Sequence, residues 1–367
     1  MSMRYQAGIV LPGYNALKVA NAPTIGTATA GNAQVSVAFT APSCVGGGAI
    51  SSYTVSCTTT GTKTASGGSS PLVVTGLTNC TAYTFKVIAT NAYGPSYPST
   101  ASNSATPVLP PTCATYTTAG TFSWVAPAGV SSVAAVVVGG GGGANVYCVP
   151  CCSLRPGGSG GGGALAYANS ISVTAGNSYT VVVGAAGTYR VNGGASYFVS
   201  TGTVRAGGGG SPTTESAGIA GTVLSGTGGN GGSGAAAGNG CRYPSGGGAG
   251  GYSGNGGNGG TYSGSQPTSG SGGGGSGGGY ASGGGGVGLL GQGTSGSAPY
   301  FCCGSPSPGI GGSGGANASN GVGGAYGGGG ASPGKVSNPG GVGAVRIVWC
   351  KCGARGTPSF PSTNVGP

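Results

Sequence analysis

Histidine and aspartate are absent from this 367-residue sequence, and glutamate occurs once, as Glu215. Charged residues make up 4% of the chain, against roughly 25% in ordinary globular domains. These absences exclude whole classes of chemistry. Proton transfer in catalysis needs a positioned histidine, carboxylate, lysine, tyrosine or cysteine. Here the first is missing and the second has one member. The carboxylate pair of glycoside hydrolysis cannot be assembled, nor can a Ser-His-Asp or Cys-His arrangement. A two-metal phosphoryl-transfer centre would find a single carboxylate. The expectation is a protein that is not an enzyme, uses no cofactor, and works by presenting a surface.

Long apolar runs are also missing. The longest, Val133 to Val138, is strand-sized, whereas a membrane helix needs about 18 consecutive apolar residues, so no membrane insertion is expected. The opening residues MSMRYQAGIVLPGYNALKV lack the apolar core and small-residue cleavage site of a secretory signal. A display protein without an export signal points to release by cell lysis. The net charge of +11 comes from twelve Lys and Arg residues spread from Arg4 to Arg355. A nucleic-acid groove needs basic residues clustered along one track, so nucleic acid is not an expected partner. A mild attraction to anionic cell surfaces fits the net charge better.

What the chain does have is glycine, 92 residues of it, and several β-prone segments. Residues 1–22 read as a short arm, too small to bury a core of its own. Residues 23–107 carry short alternating segments split by turn signals, the pattern of an all-β sandwich. In QVSVAF (34–39), Val35, Val37 and Phe39 share a face. Tyr53 and Val55 do so in SSYTVSC (51–57), and Tyr83, Phe85, Val87 and Ala89 in AYTFKVIATNAYG (82–94). Tyr83 follows Leu77 by six residues, where a sandwich's tyrosine corner would sit. Residues 108–113 read as a Pro-rich linker.

A second β region is expected at 114–205, with strands near 122–125, 133–138, 164–173, 178–184 and 195–200. Residues 206–340 are a low-complexity glycine-rich excursion without the strict three-residue repeat of collagen. In 341–367 the strand GAVRIVW (343–349) has no local partner, so it should return to the 114–205 strands. The excursion is then either a flexible linker or a bundle of polyglycine II helices. Such helices have three residues per turn and pack closely because no Cβ intervenes. The bundle is preferred, since it pairs the buried backbone groups.

These segments resemble two families. PTIGTATAGNAQVSVAFTAP, GGGAISSYTVSC and VTGLTNCTAYTFKVIATNAYGPSYPS resemble a fibronectin type III domain over 23–107, with Phe39 where that family usually has tryptophan. YTTAGTFSWVAPAGVSSVAAVVVGGGGG, GGGGALAYANSISVTAGNSYTVVVGAAG and GAVRIVW resemble glycine-rich domains of phage tail fibres and tip adhesins. The two ends, YQAGIVLPGYNALKV and FPSTNVGP, are similar to those of marine cyanobacterial-phage virion structural proteins. The resemblance implies a virion appendage protein at the particle surface, extracellular after host lysis. It would be held to other virion proteins through residues 1–22, contact a glycan or protein receptor on the host envelope, and be open to homo-oligomerisation. The alternatives are a capsid decoration protein, and a secreted bacterial adhesin or ice-binding protein.

The candidate host-contact tips are Tyr243, Tyr252, Tyr262, Tyr280, Tyr300 and Phe301. Tyrosine among glycine and serine offers large contact area at low rotamer cost. Capping the glycine bundle is the other role open to them. Twelve cysteines are many for a chain this poor in core. Cys148, Cys151, Cys152, Cys241, Cys302, Cys303, Cys350 and Cys352 are candidate disulfide or thiol sites. The Cys148-x-x-Cys151-Cys152 spacing also suits zinc, and the count alone does not choose a connectivity.

Overall fold

The computed structural model describes residues 18–59, 62–108, 112–149, 153–237, 243–261, 266–279, 281–299, 308–313, 315–319, 321–332, 337–349 and 360. Among them every regular element is a strand, the sheets are antiparallel, and no helix is long and apolar enough to cross a membrane. The chain divides into two compact units, residues 1–110 and 111–367.

The first unit is a sandwich of two antiparallel sheets. Its strands are β1 (Thr24–Ala30), β2 (Gln34–Thr40), β3 (Ile50–Cys57), β4 (Thr64–Gly67), β5 (Leu72–Thr75), β6 (Phe85–Asn91) and β7 (Gly94–Pro95). They form the sheets β1-β2-β5 and β4-β3-β6-β7. The alternation read from sequence is the alternation of burial. Val35, Val37, Phe39, Tyr53, Val55, Leu77, Tyr83, Phe85, Val87 and Ala89 lie in one core, with the Phe39 and Tyr53 rings 4.8 Å apart. The Tyr83 hydroxyl accepts the Thr78 N–H at 3.1 Å, closing the expected tyrosine corner. Residues 18–22, read from sequence as part of a separate arm, belong here instead. Ala20 is in the core, and the Lys18 carbonyl accepts from Asn91 Nδ2 at 3.0 Å. The rest of that arm, residues 1–17, lies outside the described residues.

Beyond β7 the chain pairs with β6 by an unusual device. Ser96, Ser99 and Ser102 donate their N–H groups to Ala89, Val87 and Phe85. Their hydroxyls then accept the N–H groups of the same three residues at 3.0–3.1 Å. A serine every third residue thus answers a strand whose inward residues recur every second, so the buried N–H groups of β6 all find acceptors.

The second unit contains β8 (Thr112–Tyr116), β9 (Gly120–Val125), β10 (Ser132–Val138), β11 (Val146–Val149), β12 (Ser153–Pro156), β13 (Leu165–Ser172), β14 (Ser178–Val183), β15 (Ser196–Phe198), β16 (Val204–Ala206), β17 (Val223–Ser225), β18 (Thr227–Gly229) and β19 (Ala344–Trp349). Its main sheets run β18-β13-β10-β19-β8 and β17-β16-β15-β14-β9. The closing strand β19 does return from the end of the excursion, to lie between β10 and β8. Two boundaries differ from the sequence reading. β8 begins at Thr112, inside the segment read as a linker, and β17 and β18 lie inside the excursion and extend both sheets.

The central strands have no solvent face. Val133, Ala135, Val137, Val345, Ile347 and Trp349 pack on Trp124, Val181, Phe198 and Val204 of the second sheet. Ala134, Val136, Val138, Ala344 and Val348 face Ala249, Tyr252, Val287 and Leu289 of the glycine-rich segments. Burial on both faces explains why VAAVVV and AVRIVW are continuous apolar runs, broken only at Arg346.

Candidate functional site: the glycine bundle and its rim

β10 runs straight into Gly139–Asn145, whose successive N–H groups go to three neighbours in turn. Gly139, Gly142 and Asn145 donate to Ala164, Gly161 and Gly158. Gly140 and Gly143 donate to Gly194 and Val191, and Gly141 and Ala144 to Gly341 and Asn338. Every third residue points to the same neighbour, which is the three-residue turn of the polyproline II class. None of Gly139–Gly143 has positive φ. The segment 158–164 repeats the pattern. Gly158, Gly161 and Ala164 donate to Thr214, Gly210 and Gly207; Ser159 and Gly162 to Ala235 and Gly232; Gly160 and Gly163 to Gly330 and Gly327. Residues 245–251 do it a third time, toward 260–254, 282–285 and 160–163. Residues 245–251 of the excursion therefore form an ordered helix of a polyglycine II bundle, whereas 223–229 supply β17 and β18. The bundle also extends outside 206–340, since two of these three helices precede it.

At several positions the spacing between helices admits only glycine. A Cβ on Gly142 would strike the carbonyl oxygen of Gly210, one on Gly160 that of Gly142, and one on Gly141 that of Gly328. Backbone groups spend their hydrogen bonds inside the bundle, so the chemistry offered to a partner comes from side chains at its faces and ends.

Two of the six candidate tips fall within the described residues. Tyr243 is half-buried. Tyr252 corrects the sequence reading: it is completely buried, so it is no contact tip. Its ring lies 5.8 Å from Phe360, near-parallel, and 5.9 Å from Tyr167. Its hydroxyl donates to the Gly288 carbonyl at 3.2 Å and accepts the Gly291 N–H at 3.1 Å. Burial pushes the phenol far above the usual tyrosine range, opposed in part by the Gly291 N–H and by Arg346. Glycine and serine neighbours in sequence gave the look of a mobile tip, while the aromatic partners come from residues 85 before and 108 after. Tyr262, Tyr280, Tyr300 and Phe301 lie outside the described residues.

The same holds for Cys151, Cys152, Cys241, Cys302, Cys303, Cys350 and Cys352, and Cys148 is described only as backbone in β11. Elsewhere Cys80 is disulfide-bonded, and Cys44 and Cys113 are free thiols. Among the described residues no three His, Cys, Asp or Glu side chains gather closely enough to hold a metal ion.

Two surface features escaped the sequence reading. The first is Tyr189-Arg190-Val191, at the Asn145 end of the first helix. Tyr189 and Val191 are 47% and 52% exposed. The Arg190 guanidinium stacks over the Tyr189 ring at 5.2 Å, and its Nε donates to Asn145 Oδ1 at 3.1 Å. A lone Y-R-V between glycine-rich runs was the available signal. The second is a polar face of short side chains at every third residue. Asn255 Oδ1 accepts the Asn230 N–H and Asn258 Oδ1 the Ser233 N–H, at 3.0 and 2.8 Å. Thr268 Oγ1 accepts the Asn258 N–H at 2.7 Å, and Ser271 Oγ donates to the Asn255 carbonyl at 3.1 Å. Each carboxamide is clamped through its oxygen, so the row has fixed orientation.

Comparison with known proteins places both units. A fibronectin type III family model matches residues 21–104, and a glycine-rich domain model matches residues 117–352. Among solved structures, titin kinase with its flanking domains is 26% identical over 24% of this chain and 17% of that one, with a TM-score of 0.22. A crystal structure of further titin domains is 28% identical over 24% of this chain and 32% of that one, with a TM-score of 0.21. The chain thus spans less than a third of the length of either. No curated protein matches it. With more than half its length matched by one family model, the chain belongs to the glycine-rich domain family, carrying a fibronectin type III domain ahead of that domain.

Proposed function

We propose that this chain is a non-enzymatic virion appendage protein, a tail fibre or adhesin that contacts the host cell surface. The fibronectin type III domain acts as a spacer, and the glycine-rich domain carries the contact. The observation behind this reading is the three-neighbour hydrogen bonding of Gly139–Asn145. It builds a rigid body from residues without side chains and leaves recognition to the segments that join the helices. Tyr189, Arg190 and Val191 form such a segment, with an aromatic ring, a cation and an apolar side chain held together at one end of the bundle. Stacked Tyr and Arg are the residue types that dominate binding surfaces. The receptor is a glycan or protein of the host envelope. The attachment to other virion proteins proposed for residues 1–22 falls to residues 1–17, because 18–22 pack on the sandwich.

Gold labelling of intact particles with an antibody to residues 18–108 should mark the tail. Replacing Tyr189 and Val191 together by alanine should reduce host adsorption while particle yield stays constant. Label confined to the head, with adsorption unchanged, would replace this reading by the capsid decoration protein.

The Asn230, Ser233, Asn255, Asn258, Thr268 and Ser271 face favours a second reading, a secreted surface protein that binds ice. Such a face is regular, uncharged and fixed. Measurable thermal hysteresis in the purified chain, lost on replacing Asn255 and Asn258 by lysine, would support it.

A further inference from the structure

Residues 188–191 make a turn at the Asn145 end of the first glycine helix. The Val191 N–H donates to the Thr188 carbonyl at 3.1 Å. Arg190, the third residue, has a φ of 54°, while Tyr189 before it is not left-handed. That is the type II pattern, whose third position belongs to glycine or asparagine. A chain with 92 glycines places arginine there, in a conformation that strains a residue with a Cβ. The turn would close more easily with glycine, so the reason for arginine lies in its side chain.

That side chain is held at one end and open at the other. Asn145 is completely buried. Its Nδ2 donates to the Thr214 carbonyl at 3.1 Å, which orients its Oδ1 to accept Arg190 Nε at 3.1 Å. The guanidinium lies over the Tyr189 ring at 5.2 Å and stays charged at any ordinary pH. Its two Nη groups are the fork that grips a carboxylate or phosphate. They have no hydrogen-bond or ion-pair partner among the described residues. The one carboxylate side chain of the sequence, Glu215, follows Thr214 and makes no ion pair with Arg190.

The same segment supplies an apolar ring and a second donor. Tyr189 is half-exposed, and the guanidinium covers one face of its ring, so the other face meets solvent. Asn192 Oδ1 accepts the Ser211 N–H at 2.7 Å, which leaves Nδ2 as a donor on an exposed residue. The segment is tied to the bundle on both sides. Gly187 donates to the Gly141 carbonyl at 2.8 Å before the turn, and the Val191 carbonyl accepts from Gly143 at 3.4 Å within it. A fixed cation, an amide donor and an aromatic face suit one sugar residue, whose C–H side packs on such a ring. A stable protein partner buries about 800 Å² on each side, from roughly 20–30 residues, far more than residues 188–192 offer.

We propose that this turn binds an acidic sugar of a surface glycan, with Arg190 gripping the anion and Tyr189 packing on the apolar face of the pyranose. The anion is a carboxylate or a phosphate, since the guanidinium fork matches both. The inference deepens the appendage reading given above and rests on it for where the sugar is met. The binding itself is a property of the purified chain.

Ligand-detected NMR titration of the full chain at fixed ionic strength compares D-glucuronate, D-glucose 6-phosphate, D-glucose and N-acetyl-L-glutamate. At least one acidic sugar should bind about tenfold or more tighter than both glucose and N-acetyl-L-glutamate, the worth of one charge-assisted hydrogen bond. Whichever does so identifies the anion. Arg190→Gly, which suits the left-handed backbone, and Tyr189→Ala, at an exposed position, should each weaken that binding about tenfold or more. Tryptophan fluorescence checks that both variants are folded. Arg190→Lys should not restore affinity, because it keeps the charge without the fork. Should Arg190→Gly not fold, Tyr189→Ala decides. Acidic sugars that bind no tighter than glucose overturn the proposal, as does unchanged affinity in a folded variant. Equal binding of N-acetyl-L-glutamate overturns it too, in favour of a protein carboxylate. If the sugars fail to bind while the Tyr189 and Val191 double variant loses host adsorption, this inference falls and the appendage reading stands with another receptor. If the sugars bind and adsorption is unchanged, the site stands and that reading loses its contact surface.

Discussion

Gly142 and Gly160 meet without room for a single added carbon. The Gly142 N–H bonds Gly161 at 2.9 Å, while a Cβ placed on Gly160 would fall on the Gly142 carbonyl oxygen. Backbone on both sides leaves nothing flexible to move aside. Gly142→Ala and Gly160→Ala should each destabilise the glycine-rich unit by about 1–3 kcal/mol or more, the cost of overpacking a close-packed interior. Gly202→Ala, in open space beside Ser200, should be tolerated. Trp124 and Trp349 are the two tryptophans of the chain and both lie in this unit, so denaturant titration by tryptophan fluorescence reads it directly. Equal stability of all three variants would mean that the helices can part to admit a methyl group.

The serine ladder makes a separate prediction in the first unit. Ser99 is 5% exposed and its hydroxyl accepts the Val87 N–H at 3.0 Å. Ser99→Ala removes that acceptor and leaves a buried donor unanswered, at a cost of about 1–3 kcal/mol. Phe39→Ala should cost more, roughly 3–5 kcal/mol, because it empties an aromatic site in the core. Amide exchange of β6 in denaturant should show both losses, with the Val87 amide affected most in Ser99→Ala.

Tyr252 ties stability to alkaline pH. Its phenol is protonated in both folded and unfolded chains below pH about 10, the ordinary tyrosine value, and contributes no pH dependence there. Above that value the unfolded chain releases the proton while the folded chain keeps it, because burial raises the folded value. The unfolded state then binds fewer protons, and stability falls as pH rises. Tyr116 and Tyr167 are raised by burial as well, so they share in the loss. Tyr252→Phe should lessen the alkaline slope without abolishing it, and at neutral pH should cost about 1–3 kcal/mol for the Gly288 and Gly291 partners. An unchanged slope between pH 9 and about 11 would place the titrating group elsewhere.

Legibility followed the presence of side chains. Val35, Val37 and Phe39 alternate, so strand, face and core membership could all be read from three letters and a period of two. β19 was legible because a β-branched run must be buried, and its partners could be named by elimination. The register of the glycine helices was not legible. A three-residue turn leaves a pattern only where non-glycine residues mark one face, and within 139–143 none does. Ser96, Ser99 and Ser102 do mark such a period, but serine is common in loops and its hydroxyls bond too many ways to signal one. The aromatic cage of Tyr252 fails to show for a third reason: Tyr167 and Phe360 are brought to it by the sheet and by the C-terminal segment, not by local spacing.

The last prediction concerns the rigidity on which the adhesin reading depends. Glycine loses more backbone entropy on ordering than any other residue, so a glycine-rich segment is ordered only where its hydrogen bonds are collectively strong. In residues 245–251 every N–H donates within the bundle, to 260, 282, 160, 257, 285, 163 and 254. Those partners belong to three different helices, and opening one helix requires breaking bonds to all three. Exchange should therefore be cooperative and slow across 139–145, 158–164 and 245–251. It should match the rate of β10 and β19, because β10 continues directly into the first helix. Exposed positions that make no such bond, such as Gly202 and Thr213, should exchange within the first time points. Hydrogen–deuterium exchange of the full chain tests this peptide by peptide. If 245–251 exchanges as fast as Gly202 while β10 stays protected, the sheet is rigid and the glycine segments are not. Recognition would then have to arise from a flexible loop that orders on contact, and the rim at Tyr189 and Arg190 would lose the fixed geometry assigned to it.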